Sequence, residues 1–262
     1  LGPNGAGKTT LIRILATQML PTSGRVLVEG HDLVVERETV RRRLGYLPQH
    51  FGSYPQLTAG EFLDYRGRLA GLHNQVQRRE RVDQSLEDVG LTEVRDKRSG
   101  TFSGGMMRRL GIAQAILADP DFLIVDEPTV GLDPEERIRF RAILGRLGTD
   151  RAILISTHIV GDISSTCEEI AVLAAGKLVF TGMPETFIQS AEGHVWEARV
   201  DDQKFEVLSE RFQVVNVSAE GNEMDVRFVG VGDPPVDAQE VPPNLEDAYV
   251  LRLGIGQDVV AS

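Results

Sequence analysis

The chain has 262 residues, 28 of them basic and 39 acidic, giving a net charge of −11, and 41% are hydrophobic. This fits a soluble globular protein with one sizeable core and room for a small accessory domain. It does not fit a nucleic-acid partner, because the densest basic run, Arg41-Arg42-Arg43, is flanked by Glu36 and Glu38 and such binding needs a basic surface.

A single cysteine, Cys167, excludes a disulfide framework and a thiolate metal cluster, and reads as a small, partly buried apolar residue. No apolar run approaches the ~18–20 residues that cross a bilayer, and nothing resembles a signal peptide. The chain is therefore expected to be soluble by itself, so any membrane role calls for a separate partner.

The sequence opens inside a glycine-rich turn, Leu1-Gly2-Pro3-Asn4-Gly5. Such a turn normally follows a strand, which is expected to precede residue 1. Thr9 to Leu20 reads as a helix stopped by Pro21, with Leu11, Ile12, Leu15 and Met19 on one face. Short strands are predicted over Arg25–Glu29 and Leu44–Pro48. From about Tyr54 to Arg98 the texture is charged and long-periodic, predicting a helical insert with helices over Ala59–Leu69 and Gln75–Val89, the second stopped by Gly90. A further helix, Met106–Leu117, precedes the wholly apolar strand Phe122–Val125. A helix over Glu135–Leu147, a buried strand over Ala152–Ile155 and a helix including Ile163–Cys167 follow. Ile170–Leu173 and Lys177–Phe180 read as a hairpin turning at Gly176. Alternation of apolar strands with helices indicates an α/β core. After about Glu192, three alternating strands (Val195–Val200, Phe212–Val217, Met224–Val229) and a helix over Leu245–Leu253, capped by Asn244 with Asp247 at its third position, read as a small α+β domain without a catalytic cluster.

Gly2-Pro3-Asn4-Gly5-Ala6-Gly7-Lys8-Thr9 fits the pattern G-x-x-x-x-G-K-[ST] throughout, with Thr10 next in line. Glycines let the backbone wrap phosphate oxygens, and the following helix adds its positive end. Lys8 then reaches the β- and γ-phosphates and Thr9 holds Mg²⁺. Phe122-Leu123-Ile124-Val125-Asp126-Glu127 supplies a buried strand whose end carries Asp126 for Mg²⁺ and Glu127 to polarise an attacking water. Together these motifs indicate a nucleotide hydrolase of the phosphate-loop class. No Asn-Lys-x-Asp run is present, which argues against a GTPase. Ser103-Gly104-Gly105 opens a helix and reads either as a second anion site, serving another subunit's nucleotide, or as a plain N-cap.

With these residues in place, the chain from about Leu1 to Gly182 closely resembles the ATP-binding cassette family of transport ATPases. The phosphate loop Gly2–Thr9, the signature turn Ser103-Gly104-Gly105 and the pair Asp126-Glu127 match in order and spacing. Gly131-Leu132-Asp133-Pro134 resembles the inter-subunit aspartate loop, Ser156-Thr157-His158 the switch histidine, and Gln49 the glutamine loop that senses Mg²⁺ or water. Phe102 and Met106 stand where the family signature most often has Leu and Gln, and the family's adenine-stacking aromatic lies before residue 1.

The resemblance implies a phosphate-loop core at residues 1–190 with a helical insert at about 54–105, and an accessory domain at 191–262. It implies ATP and Mg²⁺ as cofactors and two chains that sandwich two ATP molecules head to tail. The implied catalytic residues are Glu127, His158 and Gln49. The implied partner is an integral membrane permease at the cytoplasmic face of the membrane, with export of an unknown solute as the task. A non-transport ATPase of the cofactor-assembly class is the alternative.

Overall fold

A computed structural model of the protein describes residues 1–163, 167–221 and 223–258. The chain divides into two compact units, Gly7–Thr157 and Leu1–Ala6 with His158–Ser262.

The unit Gly7–Thr157 begins with helix α1 (Lys8–Leu15). It ends earlier than Pro21 suggested, because Thr17 adopts φ 57° and the Gln18 N–H returns to the Arg13 carbonyl at 2.8 Å. That is a left-handed closure of the last turn. Strands β1 (Leu27–Val28) and β2 (His31–Asp32) form a hairpin turning on Glu29 and Gly30, both at positive φ, as a tight two-residue turn requires. Helix α2 (Arg37–Arg43) follows. The arginine run lies in its last turn, where cations suit the helix dipole. It is also tied down, with Arg41 bonded to the Thr17 hydroxyl (2.8 Å) and Arg43 to Asp121 (2.8 Å).

Next come β3 (Leu44–Leu47), α3 (Ala59–Leu69), α4 (Gln75–Asp88), α5 (Gly104–Ile116), β4 (Phe122–Asp126), α6 (Pro134–Leu147) and β5 (Ala152–Ser156). The strands form a parallel sheet in the order β3-β4-β5. Successive residues of β4 face opposite ways, as the two-residue period of a strand dictates. Ile124 packs with Ile12 of α1 and with Ala16, the residue that follows the helix. Leu123 and Val125 pack with Leu110, Ile112 and Ile116 of α5 and with Phe140 and Leu144 of α6. A strand covered on both faces has to be apolar throughout, as Phe122–Val125 is.

The helical insert joins that second cluster through Phe62, Leu63, Val82 and Leu86. Thr58 and Glu61 cap α3 reciprocally, and the Asn74 side-chain Oδ1 caps α4. The buried Arg78 of α4 reaches back to Asp64 of α3 at 2.6 Å.

In the other unit, a helix expected over Ile163–Cys167 falls mostly on residues 164–166, outside the described ones. A single 3-10 turn (Val160–Asp162) precedes them. Strands β6 (Ile170–Ala174) and β7 (Lys177–Gly182) form the expected hairpin. Leu1 lies alongside β6, its amino group donating to the Ala171 carbonyl (2.7 Å) and its carbonyl accepting from Leu173 (2.8 Å). Then come α7 (Pro184–Gln189), β8 (Val195–Val200), α8 (Asp202–Ser209), β9 (Gln213–Glu220), β10 (Glu223–Val229), β11 (Gln239–Glu240) and α9 (Leu245–Asp258).

The four strands form an antiparallel sheet in the order β11-β8-β10-β9. Trp196 lies over Phe228 at 5.9 Å and meets Phe212 edge-on at 5.6 Å. A second cluster gathers Ile170, Val172, Phe187, Ala191, Val195, Leu245 and Leu251. Asn244 and Asp247 cap α9 as expected, and the fully buried Asp247 also accepts from Nε and Nη2 of Arg227 (2.9 and 2.7 Å).

Candidate functional site

Each unit holds part of the glycine-rich loop. In the unit that includes Leu1–Ala6, Ala6 N–H donates to the Pro3 carbonyl at 3.2 Å, closing a turn over Asn4 and Gly5, with Gly5 at φ 80°. In the unit Gly7–Thr157, Gly7 stands at φ 98° as the N-cap of α1, with no side chain capping the helix. These left-handed positions suit glycine. An uncapped helix start that presents main-chain N–H groups is a phosphate-binding geometry. Lys8, in the first turn, is only 9% exposed, whereas Thr9 and Thr10 are exposed.

At the far end of β4, Asp126 is 2% exposed. Its Oδ1 is buried and no protein group hydrogen-bonds to it, and the same holds for the Ser156 hydroxyl of the residue paired with it on β5. Buried polar atoms are ordinarily satisfied. A bare carboxylate oxygen beside a hydroxyl is a donor set that a hard divalent cation takes, so these residues fit Mg²⁺. Glu127 leaves the strand at φ 45°, with its N–H on the Ser156 carbonyl at 2.9 Å. A residue with a β-carbon in that region costs about 1–3 kcal/mol and persists only where its surroundings impose it. Tyr46 on β3 has its phenol pushed above the usual range, by burial first and then by the charge of Asp126.

Ser103 caps α5, its hydroxyl accepting from the Met106 N–H at 3.2 Å. The plain N-cap reading is thus observed, and Gly104 remains exposed beside it. Gly105 is buried because the Glu136 side chain lies where a β-carbon would be. Glu136 is held by Arg139 (3.1 Å) and by Arg109 (3.4 Å). Asp133 caps α6 by accepting from the Glu136 N–H at 2.8 Å. The signature turn and the aspartate loop therefore meet through one glutamate. Gln49 follows β3 with its side chain exposed. His158 directly follows β5 in sequence, is exposed, and opens the other unit.

Sequence reasoning missed Arg108, whose guanidinium gathers the Gln49 and Glu127 carbonyls. A signal existed: position 108 shares a helical face with the buried Gly111, Ile112 and Ala115. A charged residue on that stripe is buried with partners.

An uncapped helix after a glycine loop and a bare aspartate at the end of a buried parallel strand define a nucleotide hydrolase of the phosphate-loop class. The family model for the ABC transporter matches residues 1–130. The ABC transporter ATP-binding protein YxlF of Bacillus subtilis is 40% identical over 203 residues, covering 78% of this chain and 67% of that protein. DrrA of Streptomyces peucetius, a daunorubicin/doxorubicin resistance ATP-binding protein, is 38% identical over 212 residues, 80% of this chain and 64% of its own length. Among solved structures, cbiO1 of Clostridium perfringens, part of the ABC transporter complex cbiONQ, superposes with a TM-score of 0.65 at 28% identity, over 72% of this chain and 78% of that one. The chain belongs to the ABC transporter family as an ATP-binding subunit, and its activity is ATP hydrolysis. Among the described residues no helix is long and apolar enough to cross a membrane.

Proposed function

We propose that this protein hydrolyses Mg²⁺-ATP to drive export of a solute through a separate membrane permease. It works as a head-to-tail pair at the cytoplasmic face of the membrane. The cassette comprises residues 1–190, with the helical insert at about 54–105, and residues 191–262 form an accessory domain. Export is favoured by the kinship to DrrA, which is named for drug resistance.

The observation that carries the hydrolytic reading is the buried, partnerless Oδ1 of Asp126, next to a Glu127 turned out of its strand. When bound, Mg²⁺-ATP supplies the anhydride to be cleaved and a charge centre for the phosphates. Gly2, Asn4, Gly5 and Gly7 present main-chain N–H groups, Pro3, which has none, and Ala6 close the turn between them, and Lys8 with the start of α1 balances phosphate charge. Thr9, Asp126 and Gln49 hold the cation, and Thr10 lines the loop behind it. Glu127 accepts a proton from the attacking water, while His158 keeps water and phosphate in line. Ser103, Gly104, Gly105 and Asp133 serve the nucleotide of the partner chain.

A Mg²⁺ titration of steady-state hydrolysis tests the core of this reading. Asp126→Asn should raise the Mg²⁺ needed for half-maximal rate by about tenfold or more, while binding of metal-free ATP stays at the parent level. An unchanged titration in the folded variant removes Asp126 from the cation site.

A further inference from the structure

Arg108 lies in the second turn of α5, 8% exposed, and its partners are main-chain carbonyls from two stretches of the chain. Its Nε donates to Pro128 (3.0 Å), Nη1 to Pro48 (2.6 Å) and Gln49 (2.9 Å), and Nη2 to Asp126 (2.6 Å) and Glu127 (3.0 Å). A guanidinium has five N–H donors in one rigid plane, so every donor here has its own acceptor. Burial lowers its pKa to about 10, and the nearby charge of Asp126 opposes that shift. The group is therefore still a cation at neutral pH.

The geometry explains the backbone at Glu127. The left-handed turn at that residue lets three successive carbonyls, those of Asp126, Glu127 and Pro128, converge on one guanidinium. Conversely, a conformation that a side-chain-bearing residue does not hold unaided is fixed from the carbonyl side by Arg108 and from the amide side by the Ser156 carbonyl. The same plane fixes Pro48 and Gln49 where they leave β3. Because Arg108 sits on the helix that Ser103 caps, a shift of α5 carries both the Gln49 segment and the Glu127 turn with it.

We infer that Arg108 is a positioning residue for hydrolysis: it sets Glu127 in its working conformation and links that residue mechanically to Gln49 and to the signature helix. The inference rests on the reading of Glu127 as the base, and the experiment separates the two.

Hydrolysis under single-turnover and steady-state conditions is compared for the parent, Arg108→Lys, Arg108→Met, Glu127→Gln and the double variant Arg108→Lys/Glu127→Gln, each with a thermal unfolding curve. Lysine keeps the charge but offers three donors without a plane. Arg108→Lys should lower kcat by about 10–10²-fold, the effect of a small misplacement of a reacting group, with KM for ATP within about threefold of the parent. Arg108→Met should be slower still. The double variant should be no slower than Glu127→Gln alone, because Arg108 acts through Glu127.

Parent-level kcat in folded Arg108→Lys, or losses that multiply in the double variant, overturns the inference. So does an Arg108→Lys protein that fails to fold, which would assign the fork to stability alone. Full hydrolysis by Glu127→Gln by itself overturns the reading of Glu127 and this inference with it. A slow Glu127→Gln beside a fast Arg108→Lys overturns the inference only.

Discussion

Glu127 is 7% exposed and held out of its strand in a conformation that an ordinary strand end has no need of. Its side chain follows directly on Asp126, so removing its basicity without changing its shape isolates its chemical part. Glu127→Gln should bind ATP nearly as the parent does and turn over about 10²-fold more slowly or worse. Equilibrium ATP binding and steady-state phosphate release measure the two separately, and near-parental release excludes Glu127 as the principal base. Asp126 and Glu127 are legible in the sequence because four apolar residues followed by two acids read as a buried strand reaching a polar edge. The bare Oδ1 of Asp126 and the left-handed φ of Glu127 are not legible, since both depend on what β5 and α5 place around the strand end. Arg108 was hidden for a related reason. Beside Arg109 it reads as part of a surface charge pair, and only the apolar stripe it interrupts points inward.

At the scale of elements, the sequence speaks most clearly where a helix carries its own cap. Asn244 with Asp247 marks a helix start that the structure reproduces, and Thr58 with Glu61, Asn74 and Asp133 before Pro134 cap α3, α4 and α6 with the same chemistry. The end of α1 was not legible, because a threonine at positive φ, fixed by Arg41 from α2, closes the helix ahead of the proline. Short α2, α7 and α8 lack a long apolar period, although Asp201 capping Lys204 and Pro184 at a first helical position were local signs. Within the insert, the Asp64–Arg78 bridge clamps α3 to α4 with Arg78 nearly buried. Burial of Asp64 works to raise its pKa, but the Arg78 hydrogen bond and charge, with Arg68 behind them, outweigh it and hold the carboxyl below its usual value of 3.8. A pKa depressed on folding contributes stability above the unfolded value, and that contribution is lost as pH falls through the folded one. Asp64→Asn should therefore cost about 1–2 kcal/mol at neutral pH, less than the ~3–5 of a fully buried pair because Asp64 is a third exposed. The gap between parent and variant in thermal midpoint should narrow as pH falls below 3.8. A gap that is constant with pH would assign the loss to packing.

For the whole molecule, the order of motifs carries more than any element does, because the parts of the implied site are dispersed along the chain. Gly2–Ala6 and His158 fall in one compact unit, while Lys8, Gln49, Ser103, Asp126 and Glu127 fall in the other. The proposed head-to-tail pairing requires the signature turn to serve the nucleotide of a partner chain and not that of its own. Ser103→Arg places a bulky cation at the cap of α5 and should abolish hydrolysis while leaving ATP binding to the monomer intact. Mixed with Lys8→Ala chains, it yields pairs with one composite site lacking both motifs and one keeping both, and part of the hydrolysis should return. An ATP-dependent cross-link from position 103 of one chain to the Gly5 region of another is the direct measurement. An ATP-dependent pair without that proximity rules the arrangement out.

Coupling to a membrane subunit should run through the outer surface of the helical insert. Phe51 and Leu57, which the sequence places in an apolar stretch before α3, pack against the core, and Phe51 meets Phe62 edge-on at 6.0 Å. Tyr54 differs: it is 47% exposed and stands edge-on to the half-exposed Tyr65 at 5.7 Å. Tyr65 in turn lines a groove of about 630 Å³ beside α3 and α4, together with Leu57, Glu61, Arg68 and Arg79. An exposed aromatic lining a groove with charged walls, with a second exposed ring packed against it, suits a short amphipathic helix, for which aromatic anchors supply most of the binding energy. The position also serves coupling, because Tyr54 lies five residues after Gln49, and its carbonyl accepts from the buried Ser99 (2.9 Å) near the return to Ser103. Tyr54→Glu should leave the unfolding midpoint and the basal ATPase of the isolated subunit close to parental. Co-purification with the membrane subunit should weaken, and transport-linked ATPase should disappear. Leu57→Glu provides the contrast, since a charge set against the core should lower the unfolding midpoint first. If Tyr54→Glu unfolds the protein, the ring is part of the insert's own packing. If it folds, co-purifies and transports as the parent does, the permease docks on another face.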